Sequence, residues 1–335
     1  MSTNVSYASN DSLLESLVLH MAPDYAPNAD GIINASILLS YLKMKNRIDV
    51  MDGGLEVVMP VITARNTNLG WQGHEATMTS FLQNPADALR YEIQTYAGCA
   101  VVINKKHEAQ NKGKAMIKNF ATTLLDQAKS TITNDFNSAF WASSKADYYP
   151  ESIPSLISAT PTAGTIGGQT RSTNKAYQNK TYTSTVSDIG SEAGIAALTS
   201  QILSSRVSAS DKVDLVIMND ARFSSLSGFL DTERRYTDNQ TMTNLGFDNV
   251  KVLGATVVAE TSETLNSENT ITANYVYGIN SNYMKLKVLK DGNFKYGDKF
   301  EDIPLTLNRA LYFYVFCALC DGLPRAHFLM TAVTG

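Results

Sequence analysis

The strongest hydrophobic pattern in the chain runs through Met116, Ile117, Phe120, Ala121, Leu124, Leu125, Ala128, Ile132, Phe136, Ala139 and Phe140. These form one apolar stripe at helical spacing with no proline inside it. At 1.5 Å per residue the stripe predicts a rod of roughly 37 Å, about twice the usual helix length. Two starts fit. The helix begins near Met116, or it begins near Asn104 and carries Gly113 inside it, because Lys112, Lys114 and Lys118 sit badly at an N-terminus where the macrodipole favours anions. A second, shorter stripe (Ile33, Ile37, Leu38, Tyr41, Leu42) predicts a helix capped by Asp30 and ending near residues 45–47. A different period governs 88–103, where Leu89, Tyr91, Ile93 and Thr95 alternate with Arg90, Glu92, Gln94 and Tyr96. That is the two-residue period of a strand.

The segments between these elements set the organisation. Residues 1–30 are polar, with Pro23, Pro27 and one apolar patch from Leu13 to Met21, and predict an extended arm with a short helix. Asp52, Gly53 and Gly54 mark a turn. Leu55 to Thr63 reads as a strand whose Pro60 confines it to an edge or a free-standing arm, since proline cannot donate to a ladder. With Asn66 to Gly73 as an Asn- and Gly-rich tip, residues 53–103 predict a long hairpin ending in a polar tip that buries little apolar surface against its own subunit. Residues 143–188, rich in Ser, Thr, Pro and Gly, predict a long connecting segment. Beyond it come a helix around Ile195, Leu198, Ile202 and Leu203, a buried strand at Val213 to Met218, and a helix from Ala221 to Tyr236. Strands follow at Val250 to Glu260 and Tyr275 to Val288, then two β-rich runs flank Asp321-Gly322. The class is mixed α+β, with neither a βαβα alternation nor an internal repeat.

Composition narrows the function without naming it. The chain has 335 residues, 44% of them apolar and 18% charged, which suits folded lobes with real cores. A net charge of −4 is not that of a protein wrapping nucleic acid through its overall field. Three cysteines imply no disulfide framework. The N-terminus lacks a basic start with an apolar core, and the longest apolar run, Ala310 to Leu319, is too short for a bilayer. The expectation is a soluble protein made in the cytoplasm, with no membrane partner.

Catalytic motifs fail at specific places. Gly113-Lys114-Ala115 lacks the hydroxyl and spacing of a phosphate loop. Gly164-Thr165-Ile166-Gly167-Gly168 has neither the preceding strand nor the following helix of a dinucleotide site. Ser225-Leu226-Ser227-Gly228 lacks the leading glycine of a nucleophile elbow. His20, His74, His107 and His327 have no second histidine at metal-ligand spacing. Cys317 and Cys320 have the spacing of half a zinc site, but only His327 is near and a strand would point them to opposite faces. Asp231 and Glu233 read as a solvated face. The expectation is a non-enzyme with no cofactor and no metal.

The order of these elements resembles the tailed-bacteriophage major capsid family, with its Hong Kong phage-type fold. The helix at Ile37 to Leu42, the Gly53-Gly54 turn and Val57 to Ile62 are similar to that family's helix, turn and first hairpin strand. Trp71 falls in the tip, and Ala88 to Tyr91, Gly98 and residues 104–113 resemble the returning strand and its lead into the spine helix. Gly164 to Gly168 with Arg171 resembles the loop after the spine. Asn219-Asp220, Leu245 to Val258 and Val276 to Asn280 resemble the axial domain, and Leu319 to Phe328 with Pro324-Arg325 the last peripheral strand. The resemblance implies an N-terminal arm and short helix (1–52), an extended hairpin, or E-loop, with an adjoining strand (53–103), and a spine helix with peripheral-domain parts (104–160). A mainly axial domain (161–305) and C-terminal peripheral strands (306–335) complete it.

The function that follows from the resemblance is self-assembly into hexamers and pentamers of an icosahedral shell around the phage dsDNA, located in the virion. The implied partners are other copies of the chain, a portal protein and, since no long charged helical segment precedes the hairpin, a separate scaffolding protein. A decoration protein and non-specific contact with packaged DNA complete the set. Arg65, Trp71, Arg90, Arg171 and Arg325 are the candidate interface residues, because Arg and Trp concentrate binding energy at interfaces. Gly53, Gly54, Gly167 and Gly168 are candidate turns or hinges. Phe120, Leu124, Leu125, Ile132 and Phe140 are the candidate spine core. Rival readings are an adhesin-like β-rich virion protein, which would lack the single long helix, and a hydrolase, which would show a nucleophile paired with a base.

Overall fold

The computed structural model describes residues 36–71, 73, 74, 77, 81, 82, 86–104, 114–143, 148–183, 188–233, 249–260, 271, 272, 274–297, 300–331 and 333. The expected arm with its Leu13 to Met21 patch, the Asp30 cap and Ile33 lie outside the described residues, as do 234–236 of the helix expected to reach Tyr236 and the side chain of Phe120.

The longest strand, β15 (Asn308–Asp321), organises the first sheet. It pairs antiparallel with β4 (Gln94–Asn104) along most of its length and with β12 (Met284–Leu289) at its C-terminal end. Short strands β13 (Lys295–Tyr296) and β14 (Glu301–Asp302) also pair with it. Strand β1 (Ile48–Met51) adds parallel to β12, and Lys285 and Lys287 both reach across to Asp49. The hydrogen bond from Lys287 holds the Asp49 carboxyl below the usual carboxylate range.

The spine helix, Lys114–Trp141, lies on this sheet. Its stripe explains why. Leu125 and Ala128 pack with Val101, Ile103 and Leu311, while Ile132, Phe136, Phe140 and Trp141 enter the main core. Phe136 meets Tyr96 edge-on at 5.2 Å between ring centroids, and the Tyr96 hydroxyl donates to Asp135 at 2.7 Å. Leu124 is half-buried, at the margin of the stripe.

A second six-stranded sheet has the order β7-β16-β11-β8-β10-β9, where β7 is Lys180–Tyr182, β8 Leu215–Asn219, β9 Asn249–Val252, β10 Ala255–Glu260, β11 Val276–Ile279 and β16 Phe328–Met330. Its central strand Leu-Val-Ile-Met-Asn is buried at every position because both faces are covered. Leu215 and Ile217 point into the main core. Val216 and Met218 point the other way, into a separate cluster with Leu198, Ile202, Leu226 and Leu230 from the helices Glu192–Ser204 and Asp220–Glu233. Close approach at this sheet needs a glycine, since a Cβ at Gly278 would fall 2.0 Å from the Phe328 ring.

Residues 143–188 are not the plain connector expected from their composition. Their described part contains a short helix, Ile153–Leu156, a tight hairpin of β5 (Thr165–Ile166) with β6 (Gln169–Thr170), two 3₁₀ turns and β7. Arg171 organises it. Its guanidinium donates to the carbonyls of Ser155 (2.6 Å), Leu156 (2.9 Å) and Tyr177 (3.0 Å), groups that no regular ladder satisfies.

Replacing Ile132 with Ala should cost about 2–5 kcal/mol, and replacing Leu124 with Ala distinctly less, because one leaves a core cavity and the other does not. Urea unfolding of both variants checks this, and equal costs would place the stripe differently.

Candidate assembly surfaces

The hairpin pairs β2 (Glu56–Ile62) with β3 (Ala86–Glu92). The Ile93 amide donates to the Leu55 carbonyl, which makes 57/91, 59/89 and 61/87 the hydrogen-bonded pairs and 60/88 a non-bonded one. The nitrogen of Pro60 therefore faces away from β3, and the proline removes no ladder bond. By the same alternation the Arg90 amide points off the far edge of β3, where it donates to the Gly167 carbonyl at 2.9 Å.

The root of the hairpin is fixed at several points. Val57, Val61, Leu89 and Tyr91 are buried in the main core, contrary to the expectation that the hairpin buries little of itself at home. The Tyr91 hydroxyl, its ionisation disfavoured by burial, donates to the Asp321 carbonyl at 2.7 Å. Gln169 donates to Asp87 (3.1 Å), Asn174 donates to the Thr63 carbonyl (2.9 Å), and the Tyr177 hydroxyl donates to Asp87 (2.7 Å). That last bond and one from the Ala88 amide hold the Asp87 carboxyl below its ordinary range. Gly167, at φ 53°, sits so close to Leu89 that a Cβ would fall 2.7 Å from the leucine Cβ. The β5–β6 turn thus clamps the outer edge of β3 and covers part of it.

The tip is different. Asn68 bridges its two limbs, donating to the Phe81 carbonyl at 2.8 Å. Its described part displays large apolar side chains, with Trp71 107% and Leu82 102% exposed and Leu69 and Phe81 also open. The tip expected to be polar from its Asn and Gly content is mixed where it is described: exposed Asn66, Thr67 and His74 stand beside these large apolar side chains. A second open apolar turn, Leu305 and Leu307, joins β14 to β15.

Of the five candidate interface residues, Arg65 and Arg325 line one groove with Lys175, and Trp71 stands on the tip. Arg90 lies on the exposed face of β3, 3.5 Å from Glu56. Arg171 does not belong in the set, because it is 1% exposed and spends its donors on carbonyls of its own subunit. The groove holds about 830 Å³ between the hairpin root and the β15–β16 connection. Met59, Pro60, Val61, Ile62, Val207 and Leu323 supply its apolar lining. Sequence reasoning did not find it, since it depends on hairpin register and on where Lys175 and Arg325 meet in space. Gly54 and Gly168 also hold positive φ, at 119° and 78°, as turn residues.

Several described groups with catalytic potential are engaged structurally. Asp321 and His327 are both fully buried, 3.1 Å apart through Nε2, and Nδ1 accepts from the Asn280 amide at 3.1 Å. With both ring nitrogens used, His327 has no face left to act as a base on a nucleophile. The Ser225 hydroxyl donates to Asp188 at 2.6 Å, with no described histidine bonded to it. Burial pushes the Cys317 and Cys320 thiols up to about 12. Among the described residues no three His, Cys, Asp or Glu side chains are grouped as a metal site would need.

A rooted hairpin, a long helix laid across one sheet and a second sheet backed by two helices define the Hong Kong phage-type capsid fold, and solved structures agree. The capsid asymmetric unit of cyanophage A-1(L) matches with TM-score 0.61 at 11% identity, over 87% of this chain and 91% of that one. The capsid of an empty GTA particle matches with TM-score 0.56 at 10% identity, over 87% and 89%. The capsid of Myoviridae phage XM1 matches with TM-score 0.52 at 11% identity, over 86% and 90%. No family model matches the chain, and no curated protein does.

Removing the Tyr177 hydroxyl should let the Asp87 pKa rise toward the ordinary carboxylate value. Because the folded value is depressed, the clamp holds above the unfolded value of about 4 and is lost as pH falls through the folded one. NMR titration of Asp87 in the wild type and in Tyr177→Phe tests this. An unchanged titration would remove Tyr177 from the clamp.

Proposed function

We propose that this chain is the major capsid protein of a tailed bacteriophage, a non-enzymatic subunit that assembles into hexamers and pentamers of an icosahedral shell around dsDNA. The observation that carries the reading is the hairpin: fixed at its root by core packing and side-chain clamps, and open at a tip that displays Trp71, Leu82, Leu69 and Phe81 to solvent. A lone soluble subunit gains nothing from holding large apolar side chains out on a rooted arm, whereas a neighbour that covers them gains their burial. Head-to-tail docking of such an arm on the next copy is a heterologous contact, which closes into rings when the rotation closes.

Arg90 on the exposed face of the hairpin and the Leu305-Leu307 turn are further candidate contacts between subunits. The domain division, from N-terminal arm through spine helix to the axial and peripheral parts, follows the same reading. So do a portal protein at one vertex, a separate scaffolding protein, a decoration protein on the outside, loose contact with packaged DNA, and a location in the virion.

Electron microscopy and size-exclusion chromatography of the protein, produced alone and with its genomic neighbours, test the proposal. Closed shells or discrete pentamers and hexamers are expected. Trp71→Ala with Leu82→Ser should abolish them while leaving the subunit's unfolding midpoint unchanged. A strictly monomeric protein under every assembly condition would overturn the reading.

A further inference from the structure

Among the described residues, the groove at the hairpin root is lined by positive charge alone. Its described charged lining residues are Arg65, Lys175 and Arg325, all exposed and all basic, and none of them forms an ion pair with another described residue. Between them lies the apolar lining of Met59, Pro60, Val61, Ile62, Val207 and Leu323. An occupant must therefore offer carboxylates and apolar side chains together.

One segment of the chain has that composition. Residues 1–42 contain no Lys or Arg and carry Asp11, Glu15, Asp24 and Asp30. Within them Leu13, Leu14, Leu17, Val18 and Met21 fall at the spacing of one helical face, with Asp11 and Glu15 beside it. The hairpin tip is a poorer match, since residues 66–82 hold a single carboxylate, Glu75.

The segment can also reach. The helix Ile37–Met44 spans about 12 Å. Arg47, three residues beyond its C-terminal end, donates to Asn282, a lining residue of the groove, at 2.6 Å. The residues between Met21 and Ser36 can extend over roughly 50 Å. A tethered ligand at such range acts at high effective concentration.

We infer that the acidic, apolar segment from Asp11 to Met21 docks in the groove of its own subunit, with Asp11 and Glu15 against the Arg65, Lys175 and Arg325 cations and the leucines on the Met59–Ile62 and Leu323 wall. Docking of this kind covers Pro60 and Ile62, which are exposed on β2 among the described residues, and it fastens the hairpin root from a second side. The inference does not depend on the shell reading.

The test is photo-cross-linking of the full-length protein with p-benzoylphenylalanine at Leu17, mapped by mass spectrometry. Labelling of the groove wall within one chain is expected. Arg325→Glu with Lys175→Glu should cut the yield about tenfold, and adding Asp11→Lys with Glu15→Lys should restore it. Lys175 and Arg325 are exposed, and circular dichroism checks that each variant folds. Labels outside the groove, labels joining two chains, a yield indifferent to the charge reversal, or labelling of the groove from a probe at Trp71 instead would each overturn the inference. Shell formation is scored separately on the same samples, so its loss and the loss of docking are read apart.

Discussion

The two-sided pairing of β15 is the constraint on which the rest of the molecule depends. Along one edge it holds β4, and through β4 the spine helix. Along the other it holds β12, and through β12 the strand β1. At its C-terminal end Asp321 accepts Tyr91 from the hairpin on its carbonyl and meets His327 through its carboxylate, so the arm, the first sheet and the entry to the second sheet converge on one residue. A fourteen-residue strand buried over most of its length can do this because few of its positions can slip without moving an apolar side chain out of the core.

A consequence is a sharp contrast in rigidity of attachment along the hairpin. The root is over-determined by buried side chains and by the Gly167, Gln169, Asn174 and Tyr177 contacts, while in the tip Asn68 bridges the two limbs and Trp71 and Leu82 stand open. Under the proposed shell reading, that division suits an arm whose direction is set before assembly and whose energy comes from a neighbour, because pre-set geometry lowers the ordering cost of binding.

How much of this the sequence disclosed follows from where the physics is periodic. The spine helix and β3 were legible because a stripe at 3.6 residues and an alternation at two survive any ambiguity of boundary. The strand 215–219 was legible as an apolar run, though not its role between two cores. Residues 143–188 were not, because their order comes from Arg171 bonding to three carbonyls, and a buried arginine leaves no periodic trace. The same blindness placed Arg171 among interface candidates. At the tip, composition told only part: Asn and Gly describe what the backbone needs there, while Leu69, Trp71, Phe81 and Leu82 add the apolar surface that the described tip offers. The groove of Arg65, Lys175 and Arg325 joins residues far apart in the chain and could be found only in space.

The central claim is that a neighbouring copy covers the hairpin tip, and tryptophan reports on it directly. Trp141 is buried in the core and Trp71 is open, so the two give separate signals. The measurement is acrylamide quenching of the Trp141→Phe variant, free and as isolated particles. Strong quenching in the free subunit that falls several-fold on assembly is the predicted result. A Trp71 as accessible in particles as in the free subunit would contradict the account.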